Sequence, residues 1–344
     1  MPAPGTIPVC SDSRPPPVTR ELRYRGYPEV AMTGATTRPP RLSLHSRVLY
    51  ATFWLFGRTV GRFIPITHPK VLAMAEQLDA RAGRRQRMPR GITVTPVELD
   101  GFKAEWLKPQ EALDDAVILY FHGGGFFSGG LNTHRPAVSA MAKRSKVPAF
   151  NIAYRQLPST PINGSVADCL TAYRHLLDEG FQPERIVFGG DSAGGYLTFA
   201  TALKAREEGL PLPAGLVALS PLTDLNSDAR SKHPNWGKDT YILAKHLSTI
   251  AELWSSDPDG QGPPVSPVHE DLTGMPPSLI MAAETEVLLA DAEAMAEALW
   301  AAGAQCKLEV WRGQVHAFPV LAPTPEVRLA IGHIAEFVQQ CLKE

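Results

Sequence analysis

Two glycine-rich segments hold the residues best suited to chemistry: His-Gly-Gly-Gly at 122–125 and Gly-Asp-Ser-Ala-Gly at 190–194. An apolar run precedes the second segment, and a pattern of helical character follows it. This context predicts a strand, a sharp turn and a helix, with Ser192 exposed on the turn. A serine held in that way is suited to nucleophilic attack on a carbonyl carbon.

The first segment follows residues 117–121, which are all apolar or aromatic and predict a strand buried on both faces. Its glycines let the backbone approach a substrate and offer N–H groups to the negative charge that develops on an attacked carbonyl oxygen. A phosphate-binding loop would need Lys and then Ser or Thr after its last glycine, but Phe126 and Phe127 stand there. We therefore interpret 122–125 as an oxyanion-binding loop that the ring of His122 organises.

Ser192 needs a base, and the chain has ten histidines. With this type of serine turn, the base follows the serine in the chain and lies on a loop after the last strand. His316 meets both conditions, because it stands between the strand predicted at 306–310 and the final helix. Three other histidines fall in or beside a long insertion, where surface or lid positions are expected: His233, His246 and His269.

The acid that orients the imidazole should follow the preceding strand. Three carboxylates stand there: Glu284, Glu286 and Asp291. Asp291 occupies a position where a first-turn acid of the next helix is common, and Glu284 lies at the end of the strand. Spacing alone does not choose among the three.

Predicted strands and helices alternate from residue 93 onward, and most of the helices have ten or more residues. This pattern predicts an α/β fold with a mostly parallel sheet covered by helices on both faces. An antiparallel hairpin is predicted at 94–99 and 103–107, joined by Asp-Gly. Residues 223–264 interrupt the alternation without a strand pattern, so we expect a lid there rather than a structureless loop.

Composition excludes several classes of function. The net charge is −1, and the basic cluster at 84–87 is most simply a solvated linker, so nucleic acid is not an expected partner. The four cysteines have neither disulfide-framework nor zinc-site spacing, which favours a reducing compartment such as the cytoplasm. Residues 1–40 lack the apolar core of a secretion signal and are predicted to be disordered.

Taken together, the motifs resemble the hormone-sensitive-lipase-like branch of the α/β-hydrolase esterases. The resemblance rests on the loop at 122–125, Tyr-Arg at 154–155 with Pro158, the turn at 189–195 and Val-His-Ala-Phe at 315–318, and it runs from about Val94 to the C-terminus. It implies the α/β-hydrolase fold with a helical cap, and it implies no metal and no organic cofactor.

The resemblance also assigns roles within the site. The acid segment of this family reads Asp-Pro-Leu after Ala-Glu-x, which places the acid on Glu286, with Asp291 as the alternative. Glu in place of Asp adds one methylene, so the backbone must retreat slightly. The family places the oxyanion donors on the N–H groups of three residues: Gly124, Gly125 and Ala193. The resemblance implies that Gly123 shapes the loop and that Asp191 links the turn at 189–195 to the loop.

The cap regions of the family correspond to two parts of this chain. The expected organisation is a disordered segment at 1–40, cap helices at 41–90, and a catalytic domain at 91–344 with a cap insertion at about 223–264. Residues 48–56 are apolar and flanked by arginines, and they are too short for the ~20 residues of a membrane span. The alternative to a cap is a basic amphipathic helix that contacts a membrane through about 48–62.

The expected function is a serine carboxylic-ester hydrolase that acts through an acyl-enzyme on short- to medium-chain acyl esters. The same site would also suit lactone or amide hydrolysis or the deacetylation of a natural product. A non-catalytic ligand receptor on the same fold is the alternative of another class, but such relatives lose the histidine that is present here as His316. Four aromatic residues are candidate pocket walls: Phe126, Phe127, Trp236 and Tyr241. A homodimer through the last strand fits this architecture.

Overall fold

The computed structural model describes residues 35–37, 42–59, 79–83, 89–225, 228–242 and 263–343, together with residues 74, 77 and 247. Within these residues one nine-stranded sheet has the order β1-β9-β8-β7-β6-β4-β5-β3-β2. The strands are β1 (Ala35–Thr37), β2 (Ile92–Leu99), β3 (Phe102–Pro109), β4 (Val117–Phe121), β5 (Ala149–Ala153), β6 (Ile186–Asp191), β7 (Gly215–Leu219), β8 (Ser278–Ala283) and β9 (Cys306–Trp311).

The helices whose full bounds lie within the described residues are numbered in chain order. They are α1 (Leu44–Thr59), α2 (Leu131–Ser145), α3 (Ile162–Asp178), α4 (Ala193–Glu207), α5 (Asp228–Lys232), α6 (Leu289–Ala301), α7 (Phe318–Leu321) and α8 (Pro325–Cys341). Most of them fall within a few residues of the helices that the sequence predicts.

The sheet is mostly parallel, which confirms the predicted fold class. Strands β4 to β9 pair in parallel, while the β2–β3 hairpin and the β3–β5 pair are antiparallel. Every residue of β4, β6, β7 and β8 is buried, as expected of central strands covered on both faces.

Two apolar cores lie on opposite faces of the sheet. Alternate residues of β4 divide between them: Val117, Leu119 and Phe121 belong to one core, and Ile118 and Tyr120 to the other. Side chains of α3, α4 and α6 fill the first core, and those of α2 and α8 fill the second. The carboxyl ends of the parallel strands therefore meet at one edge, where the segments that follow β4, β6, β8 and β9 come together.

Helix α1 lies in the segment 41–90, for which cap helices are predicted. Its inner face packs on the second core through Leu49, Tyr50 and Phe53. The ring of Phe53 also lies 5.0 Å from the ring of Tyr241, which belongs to the insertion. Of the segment 1–40, only 35–37 lie within the described residues, and most of 243–262 lies outside them.

Glu326 on α8 anchors the start of α1. Its carboxylate accepts hydrogen bonds from the backbone N–H of Ser43 (2.6 Å) and from the hydroxyls of Ser43 (2.8 Å) and Ser46 (2.7 Å). Burial would raise the pKa of Glu326, but these bonds lower it to about 2. A free glutamate has a pKa of about 4.3. The ionised Glu326 therefore stabilises the fold above that pH, and this stabilisation is lost as the pH falls toward 2.

Candidate active site

The turn between β6 and α4 holds Ser192 in a strained conformation. Its φ of 55° and ψ of −115° lie where residues other than glycine are uncommon, at a cost on the order of 1–3 kcal/mol. The backbone is fixed on both sides, since Ser192 N–H donates to Leu219 O (2.8 Å) and Ser192 O accepts from Leu222 N–H (3.1 Å). A Cβ at Gly194 would collide with the carbonyl oxygen of Phe121, which explains the glycine there.

His316 and Glu286 form a buried pair at the ends of β9 and β8. The Nδ1 of His316 lies 2.6 Å from Oε2 of Glu286. An ionised carboxylate only accepts hydrogen bonds, so Nδ1 carries the proton and Nε2 is left as the acceptor. The other oxygen of Glu286 accepts from the N–H of Ala283 (2.8 Å). Both carboxylate oxygens are therefore fixed.

The loop that carries His316 has its own support. The hydroxyl oxygen of Ser220, the residue after β7, accepts a hydrogen bond from the backbone N–H of Ala317 (2.9 Å). Ser220 and Ala317 both have positive φ angles, of 48° and 50°. No pattern in the sequence predicts this contact, because the two residues are 97 positions apart in the chain.

The charges around His316 favour its protonated form. Burial lowers the pKa of His316, but the hydrogen bond and charge of Glu286 outweigh it, with further contributions from Asp239 and Asp191, so the pKa is raised above its usual value. An imidazolium formed during a reaction is therefore stabilised.

The structure separates the three carboxylates that the sequence leaves open. Asp291 does not bond to His316 and accepts instead from the N–H groups of Thr223 (2.9 Å) and Asp224 (3.0 Å) and from Arg230 (2.8 Å). Glu284 is partly exposed, and its carboxylate lies 3.6 Å from the guanidinium of Arg312. Glu286 is the carboxylate that contacts His316.

The two other candidate histidines that the structure describes pair with carboxylates other than Glu286. His233 pairs with Glu293 on α6 (3.3 Å), and the exposed His269 pairs with Asp224 (3.4 Å). His246 lies outside the described residues.

The ring of His122 is hydrogen-bonded to the glycine loop, which it is predicted to organise. Its Nδ1 lies 2.7 Å from the carbonyl oxygen of Gly123, so Nδ1 donates. The ring stacks on Tyr154 at 4.3 Å, and the Tyr154 hydroxyl donates to the carbonyl oxygen of His122 (2.8 Å). Burial and then the neighbouring His134 lower the pKa of His122 to about 4, which keeps the ring neutral.

Asp191 ties the loop to the serine turn. Its Oδ1 accepts from the N–H of Gly123 (3.1 Å) and from the hydroxyl of Tyr120 (2.9 Å), and it lies 3.4 Å from Nε2 of His134. A Cβ at Gly123 would collide with the Asp191 carboxylate, so the tie requires glycine. His134 lies on α2, and no spacing in the sequence pointed to its contact with Asp191.

The expected oxyanion donors lie at the end of β4 and the start of α4. Gly124 and Gly125 have positive φ angles of 122° and 66°, which favour glycine. The carbonyl oxygen of Gly124 accepts from the N–H groups of Phe127 (3.2 Å) and Ser128 (3.1 Å), which closes the loop. Ala193 is the first residue of α4, where an N–H has no acceptor within its own helix.

The four candidate wall residues differ in position. Phe126 is fully buried and meets Tyr196 edge-on at 5.3 Å, so it belongs to the core. Phe127 and Trp236 are half-buried. Tyr241 is 45% exposed, and its ring lies 5.6 Å from the imidazole of His316. Tyr241 thus stands beside the proposed base.

The chain is similar in sequence to known proteins that share this fold. A family profile described as alpha/beta hydrolase fold matches residues 118–320. Esterase LipU of Mycobacterium tuberculosis is 37% identical over 231 residues, which cover 65% of this chain and 77% of that protein. An acetyl-hydrolase of Streptomyces hygroscopicus is 35% identical over 242 residues, which cover 70% and 81%.

Solved structures give the same relationship. An esterase from the bacterial hormone-sensitive lipase family is 32% identical with a TM-score of 0.77, and the match covers 88% of this chain and all of that one. EstE5, in a crystal soaked with p-nitrophenyl butyrate, is 29% identical with a TM-score of 0.78 at the same coverage. This chain belongs to the α/β-hydrolase fold family, in the hormone-sensitive-lipase-like branch that its motifs resemble.

Proposed function

We propose that this protein is a serine carboxylic-ester hydrolase that acts through an acyl-enzyme on short- to medium-chain acyl esters. The observation that carries the proposal is the buried Glu286–His316 hydrogen bond of 2.6 Å, formed at the same edge of the sheet as the strained turn of Ser192. The names of the similar proteins, which include esterases and an acetyl-hydrolase, support the same reaction.

The first half of the reaction forms the acyl-enzyme. The Ser192 hydroxyl oxygen attacks the ester carbonyl carbon while Nε2 of His316 takes the hydroxyl proton. Glu286 keeps Nδ1 protonated and stabilises the imidazolium. The negative charge on the carbonyl oxygen is bound by the N–H groups of Gly124, Gly125 and Ala193. The tetrahedral intermediate then breaks its bond to the alcohol oxygen, which receives the proton from His316.

The second half releases the acid. His316 takes a proton from a water molecule, whose oxygen attacks the carbonyl carbon of the acyl-enzyme. The same N–H groups bind the oxyanion again. The second tetrahedral intermediate then breaks its bond between the carbonyl carbon and the Ser192 oxygen, which recovers a proton from His316. The carboxylic acid leaves, and the starting state of the enzyme is restored.

A series of p-nitrophenyl esters from acetate to decanoate tests the proposed substrate class. We expect kcat/KM to be highest for short or medium acyl chains and to fall for the longest, because the Tyr241 ring lies 5.6 Å from the His316 ring and occupies space that a long acyl chain would need. No turnover above buffer for any ester would refute the proposed function. Higher turnover of amides or lactones of the same acids would favour the alternative hydrolase activities.

We also propose that helix α1 and the insertion together form a cap over the catalytic domain. The contact between Phe53 and Tyr241 supports this arrangement. Two of the described cysteines, Cys169 and Cys306, are buried free thiols, which fits a reducing compartment such as the cytoplasm. A homodimer stays a prediction. Because β1 pairs with β9 at Glu309–Trp311, a dimer through that edge would have to displace β1, and sedimentation velocity would detect it.

A further part of the proposal is peripheral contact with an anionic lipid surface through the outer face of α1. Leu44, Val48 and Leu55 share that face and are 72%, 57% and 58% exposed, and the neighbouring Arg47 is exposed as well. Apolar side chains beside a basic one suit the membrane interface. In the described part of the chain, no helix has the length and apolar character needed to cross a bilayer.

Flotation with vesicles of anionic phospholipid tests this contact. We expect wild-type protein to float with the vesicles and Val48→Asp to stay behind, because a carboxylate on the outer face opposes insertion and repels the lipid charge. The matched control is Leu329→Asp on α8, which is also an exposed apolar residue, at 45%. Failure of the wild type to float, or equal flotation of all three proteins, would refute the contact.

A further inference from the structure

Two side chains of the insertion bind the turn at 284–287, here called the acid turn, which carries the proposed catalytic acid. The Asn235 amide donates to the carbonyl oxygens of Glu284 (2.8 Å) and Glu286 (3.0 Å). The Asp239 carboxylate accepts from the N–H of Val287 (2.9 Å). The partners are 48 to 51 residues apart in the chain. The insertion therefore restrains the acid turn through long-range hydrogen bonds, and we call these contacts of Asn235 and Asp239 the clamp.

Asp239 is itself fixed within the insertion. Its Oδ1 accepts from the N–H groups of Tyr241 (2.7 Å) and Ile242 (3.0 Å), while Oδ2 accepts from Val287. The side chain is buried, with 7% of the residue exposed. One carboxylate therefore joins the acid turn to the segment that places the Tyr241 ring against His316.

The charge of Asp239 also acts on the catalytic pair. Three carboxylates from three elements favour the charged form of His316: Glu286 after β8, Asp239 in the insertion and Asp191 at the end of β6. Burial raises the pKa of Asp239 to about 6, with the charge of His316 opposing the rise and that of Glu286 adding to it. Asp239 is thus ionised at neutral pH and takes up a proton in mildly acidic solution.

A role for this clamp follows from the length of Glu286. A glutamate has one more rotatable bond than an aspartate, so a fixed backbone is needed to hold its carboxylate on Nδ1 of His316. The Asn235 and Asp239 contacts restrain that backbone on both sides of Glu286. We propose that Asp239 is a positioning residue, which holds the acid turn through Val287 and supplies a second negative charge that stabilises the His316 imidazolium.

Asp239→Asn tests both parts of this proposal, which rests on the hydrolysis proposed above. The amide has nearly the shape of the carboxylate but no charge, and its nitrogen must face either Val287 N–H or the N–H groups of Tyr241 and Ile242. We expect kcat at the pH plateau to fall about 10- to 100-fold, as for a small misplacement of catalytic groups. Because a negative charge near His316 is lost, the acid limb of the kcat/KM profile should move to lower pH by roughly half a unit or more.

Three further variants separate charge from structure. Asp239→Glu keeps the charge and should retain the wild-type midpoint of the acid limb. Asn235→Ala removes the other arm of the clamp and leaves the charge, so it should lower the plateau without moving the midpoint. Glu293→Gln removes a partly exposed carboxylate on α6 that pairs with His233, and should behave as the wild type. A midpoint shift in Glu293→Gln equal to that in Asp239→Asn would overturn the proposal.

An NMR titration of the His316 ring in the Ser192→Ala protein, with and without Asp239→Asn, measures the same effect without turnover. We expect a lower His316 pKa in the double variant. Identical pKa values, or an unchanged acid limb in Asp239→Asn, would overturn the role of Asp239 and leave the proposed hydrolase standing. A wild type without turnover would refute the hydrolase instead. If Asp239→Asn fails to fold, an Asn235→Ala plateau equal to that of the wild type would overturn the clamp.

Discussion

Ser192→Ala is expected to lower kcat for p-nitrophenyl ester hydrolysis by roughly four to six orders of magnitude, as for the nucleophile of other serine hydrolases. Alanine has no oxygen with which to form the acyl-enzyme, so only binding and oxyanion stabilisation remain. KM should change little, because the loop at 122–125 and the insertion are untouched. Steady-state kinetics with acetate and butyrate esters measures both constants.

The matched control for this substitution is Ser139→Ala. Ser139 is a buried serine on α2, and in the described structure its hydroxyl has no hydrogen-bond partner. We expect wild-type kinetics for Ser139→Ala and similar thermal unfolding for both variants. Ser192→Ala with near wild-type kcat would show that another residue is the nucleophile. Equal background hydrolysis by wild type and Ser192→Ala would favour a ligand receptor on this fold.

Glu286→Gln is expected to lower kcat by roughly a thousand- to ten-thousand-fold, the size of effect seen when the acid of a triad becomes an amide. Both oxygens of Glu286 accept hydrogen bonds, one from His316 and one from the N–H of Ala283. An amide offers one oxygen only, so its NH₂ group must face either the imidazole or the Ala283 N–H. The imidazole is then left in the wrong tautomer or without a firm partner.

Asp291→Asn is the control that separates the two candidate acids. Asp291 holds Arg230 and the backbone of Thr223 and Asp224, so its loss should act on stability. Removing one partner of a buried ion pair costs about 3–5 kcal/mol, and we expect the free energy of unfolding to fall by that order while kcat stays near that of the wild type. Near-full activity of Glu286→Gln with loss of kcat in Asp291→Asn would reverse the assignment.

Much of this site follows from the sequence because of one geometric rule. The carboxyl ends of parallel strands share an edge, so residues that follow different strands meet. The strand predicted at 117–121 and the strand β4 have the same bounds, and Ser192 directly follows β6. Once the strands are found, the glycine loop, Ser192 and His316 are predicted to lie at the same edge of the sheet.

The choice of acid needed the structure. Glu284 and Glu286 stand two residues apart after the same strand, and only the path of the turn decides which side chain reaches the imidazole. The turn directs Glu286 inward, where it is 1% exposed, whereas Glu284 reaches Arg312 at the surface. A pattern of residue types does not encode that direction.

The hydrogen bonds between the insertion and the acid turn could not be predicted from the sequence either. Asn235 and Asp239 lie in a stretch without strand or helix periodicity, and their partners in the acid turn are backbone groups. Backbone donors and acceptors exist at almost every position of any chain, so they give no sequence signal. Only the folded structure shows that the insertion contacts both the acid turn and the ring of His316.

Mass spectrometry of the protein quenched during turnover of p-nitrophenyl butyrate tests the central claim most directly. The proposed mechanism requires one butyryl group on the peptide that contains Ser192, present in the wild type, absent in Ser192→Ala, and lost once the substrate is exhausted. A butyryl group confined to a different residue, or full turnover by a Ser192→Ala protein, would contradict the assignment of Ser192 as the nucleophile.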